Sequence, residues 1–186
     1  MKNVSQKFLA CLKQLRQDHQ GVAAVEFAMI LPLLVMLLLG TFELGQALTV
    51  DRRVTQAASS AADLVAQGST IDDATLSTIS DLADSILSPY DANLLGLEIV
   101  SVEADSEGNT TVGWSYSKGG GAPHAAGSAY SMTGDLANLI SPTNSVIVAK
   151  TTYAYTPIVG KYLTGGIQLG ETFYLRPRRS AIVDKQ

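Results

Sequence analysis

Few side chains in this sequence have the type and spacing that chemistry demands. Its 186 residues contain two histidines: His19 in a basic N-terminal stretch and His124 in a Gly-rich one, where flexible backbone offers no preorganised catalytic geometry. A hydrolytic site would rest on His124 alone, and His124 reads as a loop residue. Asp105-Ser106-Glu107-Gly108-Asn109 alternates oxygen ligands around a glycine. It lacks the distal bidentate glutamate of a calcium loop and reads as a hairpin turn. Arg176, Arg178 and Arg179 cluster near the C-terminus and read as a solvated strand face. The single cysteine, Cys11, excludes an intrachain disulfide. With no phosphate loop, Cys/His cluster or nucleotide fingerprint, no catalytic residue, metal or cofactor is expected. The side chain that stands out is Glu26, a carboxylate at the edge of an apolar run.

That run must be the element that positions Glu26. From Phe27 to Phe42 there is no charge, and Leu, Ile, Val and Phe make up ten of the 16 residues. Each such residue favours membrane insertion by roughly 0.3 to 0.6 kcal/mol. At ~1.5 Å per residue these positions span about 24 Å, short of a hydrocarbon core of about 30 Å. A spanning helix therefore borrows from its flanks. Extended over 22–45 it takes in Glu26, whose buried charge requires a partner. Lys2, Lys7, Lys13 and Arg16 precede the span, and only Arg52 and Arg53 follow closely. The excess places the N-terminus in the cytoplasm. Pro32 removes one helix hydrogen bond and loosens or kinks the span. A cleaved secretory signal is the rival, but Gly40-Thr41-Phe42-Glu43-Leu44-Gly45 is a poor small-x-small site.

The junction Gln20-Gly21-Val22-Ala23-Ala24-Val25-Glu26-Phe27 resembles the processing site of type IV pilin-like proteins, in which a prepilin peptidase cuts after the glycine. That resemblance implies a cut after Gly21, a new amine on Val22, and Glu26 as the helix-assembly carboxylate, neutralised by a neighbouring subunit. The run from Gly21 through Pro32, with the later Gly40-Thr41-Phe42-Glu43-Leu44-Gly45, is similar to the TadE-like family of the tight-adherence (Flp) pilus system. The likeness is specific over about 21–60, and Tyr153-Ala154-Tyr155-Thr156-Pro157 also looks like the family's third quarter. Major pilins of that system usually carry tyrosine where Phe27 stands and are far shorter. The resemblance therefore implies a minor pilin or pseudopilin in the bacterial inner membrane, with pilin-like subunits, the pilus assembly machinery, prepilin peptidase and the lipid bilayer as partners. Phe27, Pro32, Gly40, Glu43 and Gly45 are its expected helix-packing or kink positions.

The formal net charge of -4 and pI near 5.1 argue against nucleic acid. Residues 63–107 hold acids and no Lys or Arg. Ala47, Leu48, Val54, Ala57, Ala58, Ala61, Ala62 and Val65 recur at helical spacing, continuing the span as an amphipathic stalk to about Ala66, ended by Gly68. Thr70 followed by Asp73 suits a cap for a second helix with Leu76, Ile79, Ala83, Ile86 and Leu87 on one face. Leu97 to Glu103 and Thr110 to Tyr116 read as a hairpin, with Val112, Trp114 and Tyr116 on one face. Val146 to Thr156 and Thr172 to Leu175 read as strands, separated by Pro157 and glycines 160, 165, 166 and 170. Lys118 to Ser128 reads as a mobile loop. The expected fold is α+β, with a transmembrane helix, a stalk, a short helix and a small antiparallel sheet on a pilin-like plan. Its expected parts are a leader at 1–21, a span at 22–45, helices at 46–90 and a β-rich exported domain at 91–186. The alternative function is a membrane-tethered periplasmic binding or adaptor module.

Overall fold

The structure, a computed structural model, describes residues 20–119, 121–131, 140–157 and 165–186. Nearly all of the expected leader, together with Gly120 and Gly160, lies outside the described residues. Two compact units divide between Phe42 and Glu43. Helix α1, Gln20–Gln67, contributes its first part to one unit and its remainder to the other. It ends where Gly68 breaks the pattern, with the Gly68 N–H donating to Val65 O at 3.1 Å.

In the second unit the polar and apolar faces of α1 separate. Val50, Val54, Ala57, Ala61, Ala62 and Val65 turn to one side and are fully buried. They pack against Leu76, Ile79, Ala83 and Leu87 of helix α2, Asp73–Leu87, and against the near face of the sheet. Alanines on this face let the helix axis approach the sheet closely. The cap of α2 is Asp72, whose carboxylate accepts from Thr75 N–H at 2.7 Å. This corrects the expected Thr70 cap: the capping side chain must precede the first helical residue directly to reach the third N–H. Thr70 belongs instead to a two-residue strand, β1, Thr70–Ile71.

The remaining strands are β2, Leu95–Ala104; β3, Thr110–Lys118; β4, Ser145–Tyr155; β5, Ile167–Leu175; and β6, Asp184–Lys185. Four of them form an antiparallel sheet in the order β3-β2-β4-β5, and β6 pairs in parallel with β1. The architecture is thus α+β with an antiparallel four-stranded sheet, as expected. The β2–β3 hairpin turns through Gly108 at φ 88°, a left-handed conformation that suits glycine.

Three expectations about the strands need correction. Val102 faces Val112 and Ser101 faces Trp114, so Gly113 is an extra residue and a bulge interrupts the alternation. Val112 consequently joins Val100, Val102, Val146 and Val148 on the far face, while Trp114 and Tyr116 turn toward the helices. Second, β5 begins at Ile167 rather than Thr172, and Gly170 lies inside it. A Cβ there would stand 2.9 Å from Thr151 O, so the missing side chain permits close strand approach. Third, the described part of the 118–128 stretch is docked along β3. Val112 N–H donates to Ser128 O at 2.9 Å, Gly127 N–H to Val112 O at 2.7 Å and Tyr130 N–H to Thr110 O at 3.0 Å. These bonds satisfy an edge whose backbone groups would otherwise face solvent unpaired.

The C-terminal residues beyond the arginine cluster, which no spacing singles out, close the core. Val183 is fully buried, and Trp114 Nε1–H donates to its carbonyl at 2.7 Å. Lys185 pairs with Asp73 at 2.7 Å, and Lys118 pairs with Asp84 at 2.7 Å, tying the tail and β3 to α2.

Candidate functional site

The candidate site is the first part of α1, and its defining property is exposure. Every residue from Gly21 to Phe42 is solvent-exposed, including Phe27, Met29, Leu33, Val35, Leu38 and Phe42. The helix is long and apolar enough to cross a membrane. Apolar side chains all around a helix, unburied by their own chain, call for a non-aqueous or protein environment from outside.

The expected site residues all fall on this one helix. Glu26 and Phe27 are exposed, on the second turn after Gly21. Pro32 lies inside the helix. A Cβ placed on Gly21, Gly40 or Gly45 would meet nothing within 4 Å outside the local helix backbone. Packing among the described residues therefore does not require glycine at these three positions. Thr41 Oγ1–H donates to Leu37 O at 2.8 Å and Thr49 Oγ1–H to Gly45 O at 2.7 Å, so both hydroxyls are satisfied within the helix. Glu43 is half-buried, at the start of the folded unit.

A cluster that residue spacing does not reveal gathers at that end of the folded unit. Tyr90 OH donates to Gln46 Oε1 at 2.9 Å. The Arg53 guanidinium lies 5.8 Å from the Tyr90 ring centroid and donates to Ile86 O at 2.8 Å and to Ser88 O. Burial, reinforced by the Asp91 carboxylate, raises the Tyr153 phenol above its usual pKa. Burial followed by the charge of Glu43 raises Tyr155. Tyr90, Tyr153 and Tyr155 were visible in the sequence as separate residues. Their convergence depends on strand order, which spacing does not give.

The residues weighed for other chemistry are engaged structurally. His124 Nε2 lies 3.0 Å from Glu98 Oε1, and its ring meets Tyr130 edge-on at 5.6 Å between centroids. Ser115 Oγ–H donates to the His124 backbone carbonyl at 2.8 Å rather than to its ring, so the two do not form a nucleophile and base. Asp105 accepts from Glu107 N–H, Asn109 N–H and Asn109 Nδ2–H at 2.8 to 2.9 Å. Hydrogen bonds from the Asn109 side chain and backbone, then those of Glu107 and Gly108, hold its carboxyl below the usual range. These bonds build the hairpin turn. Among the described residues, no group of three His, Cys, Asp or Glu is placed to hold a metal. The arginine cluster follows β5 instead of lying on a strand: Arg178 forms an ion pair with Asp63, and its N–H donates to Ala66 O at 2.8 Å.

Residues 21–63 match the family model described as TadE-like protein. The match covers all of the exposed apolar segment and most of the buried stripe of α1. No curated protein and no solved structure matched the chain.

Proposed function

We propose that the chain is a membrane-anchored, non-enzymatic subunit acting in assembly of a Tad-type pilus, as a minor pilin or pseudopilin. The observation that carries this reading is the coincidence of the TadE-like match at 21–63 with a helix whose residues 21–42 are all exposed and strongly apolar. The helix spans the bacterial inner membrane, with its N-terminus cytoplasmic because four basic residues precede it. Prepilin peptidase cuts after Gly21, and the Val22 amine of one subunit neutralises Glu26 of a neighbour. An exposed glycine backbone suits proteolytic access, and a paired carboxylate avoids the cost of an isolated charge in lipid.

The test is co-expression of the full chain with its cognate prepilin peptidase, followed by N-terminal sequencing of the membrane-extracted protein. A terminus at Val22 supports processing; an intact leader rules it out while leaving anchored assembly standing. The folded unit beginning at Glu43 has its own core, which favours one rival: a tethered periplasmic adaptor that never enters a fibre. Glu26→Ala separates the two. It abolishes assembly for a pilin-like subunit and leaves an adaptor functional.

A further inference from the structure

We infer that the end of the folded unit nearest Glu43 rests in the headgroup layer of the bilayer that the apolar helix spans, so that the domain docks on lipid and does not hang free. The inference rests on the anchored reading above. Twenty residues at ~1.5 Å, Val22 to Thr41, already account for a core of about 30 Å. The next seven, Phe42 to Leu48, cover about 10 Å more, enough to cross one headgroup layer of about 5–8 Å. Glu43 follows Phe42 directly, so chain connectivity alone brings this end of the domain to the membrane surface.

The chemistry of that end fits a lipid interface. The start of β2, the end of β4 and the start of β5 converge there, with Leu95 opposite Tyr153 and Tyr155 opposite Ile167. Tyr90 is joined to Gln46, and Tyr155 feels the charge of Glu43, so the strands and this stretch of α1 share one surface. Leu44, Leu48, Leu94 and Ile167 are 61%, 51%, 44% and 41% exposed, and their apolar side chains find no cover among the described residues. Tyrosine beside exposed leucine is the composition of an interfacial belt, with ring bodies in the apolar layer and hydroxyls in the wet one. The neighbouring charges leave no basic surplus, with Glu43, Asp51 and Asp91 against Arg52 and Arg53, so attachment depends on apolar contact and does not require anionic lipid.

The experiment uses the full chain with Cys11→Ser and single nitroxide labels at Leu94→Cys, Ile167→Cys, Val35→Cys and Leu64→Cys, reconstituted in neutral phosphatidylcholine vesicles. Accessibility to oxygen, which partitions into lipid, is compared with accessibility to a water-soluble nickel chelate. Leu64 is exposed but 16 residues beyond Leu48, about 24 Å along the helix, and serves as the aqueous reference. The expected result is an oxygen-to-nickel ratio at 94 and 167 severalfold above that at 64 and below that at 35. Ratios at 94 and 167 equal to that at 64, with a lipid-like value at 35, overturn the inference and leave the anchor intact. Protection of 94 and 167 from both reagents means a protein covers them and also overturns it. An aqueous value at 35 removes the anchored reading and this inference together.

Discussion

One helix performing two tasks makes a sharp prediction, since two apolar truncations on it should have opposite consequences. Val54 is 1% exposed, in the core against the sheet, and Thr151 Oγ1–H donates to its carbonyl at 3.2 Å. Val54→Ala removes two carbons from a filled site, about 1.6 kcal/mol of transfer free energy at ~0.8 per carbon. The residual cavity raises the loss to roughly 2 kcal/mol. For a folded unit of this size, 1 kcal/mol shifts Tm by about 2–4 °C, so the expected fall is about 4–8 °C. Leu39→Ala removes three carbons from a side chain 41% exposed within the first unit. It should leave the folded unit's Tm unchanged and weaken insertion by roughly 0.5 kcal/mol. The assay is thermal unfolding of detergent-solubilised chain followed by fluorescence of Trp114, the only tryptophan and a core residue. An unchanged Tm in Val54→Ala, or an equal fall in Leu39→Ala, would refute the division of labour along α1.

Further perturbations test the folded unit. Trp114→Phe removes the bond to Val183 O, leaves a buried carbonyl unpaired and should cost about 1–3 kcal/mol, read by circular dichroism and faster carboxypeptidase trimming of the C-terminus. Gly119→Ala should destabilise more than Gly108→Ala: both have positive φ, but a Cβ at 119 would stand 2.6 Å from Leu95 O while 108 opens to solvent. Denaturation series in each variant check the order. Desolvation, then the Asp184 charge, raises Glu103 above its unfolded pKa. Its contribution is therefore most favourable below the unfolded pKa and is lost as pH rises through the folded one. Glu103→Gln should stabilise the protein at neutral pH relative to wild type and show no gain at pH near 4, measured by urea unfolding at both values.

Patterns carried in consecutive residues were legible. The uncharged stretch from Phe27 to Phe42, the 3.6-residue spacing of Val54, Ala57, Ala61 and Val65, and the turn at Gly108 each encode structure locally, and α1, α2 and the β2–β3 hairpin followed. What spacing could not encode was pairing. The bulge at Gly113 becomes visible only when β3 is laid against β2, because one added residue moves Val112 to the opposite face. Docking of 121–131 depends on the unpaired edge of β3, and burial of Val183 depends on packing in one core with Trp114, 69 residues away in sequence. At the candidate site the placement of Gly21, Glu26, Pro32 and Glu43 on one helix was legible, because a single uninterrupted pattern carries them all. The Tyr90, Tyr153 and Tyr155 cluster was not, because strand order assembles it.

The glycines of α1 lead to a last prediction. Each glycine in a helix interior costs about 1 kcal/mol relative to alanine, and Gly40 and Gly45 have no neighbour that a Cβ would meet. Nothing among the described residues repays that cost, which points to close approach of something further, such as a second helix on the proposed membrane-anchored reading. Gly40→Ala combined with Gly45→Ala should therefore leave Trp114-monitored unfolding unchanged or slightly raised, while reducing site-specific cross-linking of the 22–45 helix to a neighbouring subunit in native membranes. Undiminished cross-linking would mean that these glycines play no part in helix association. On the proposed reading, contacts of this helix would then rest on its larger apolar side chains and on Glu26.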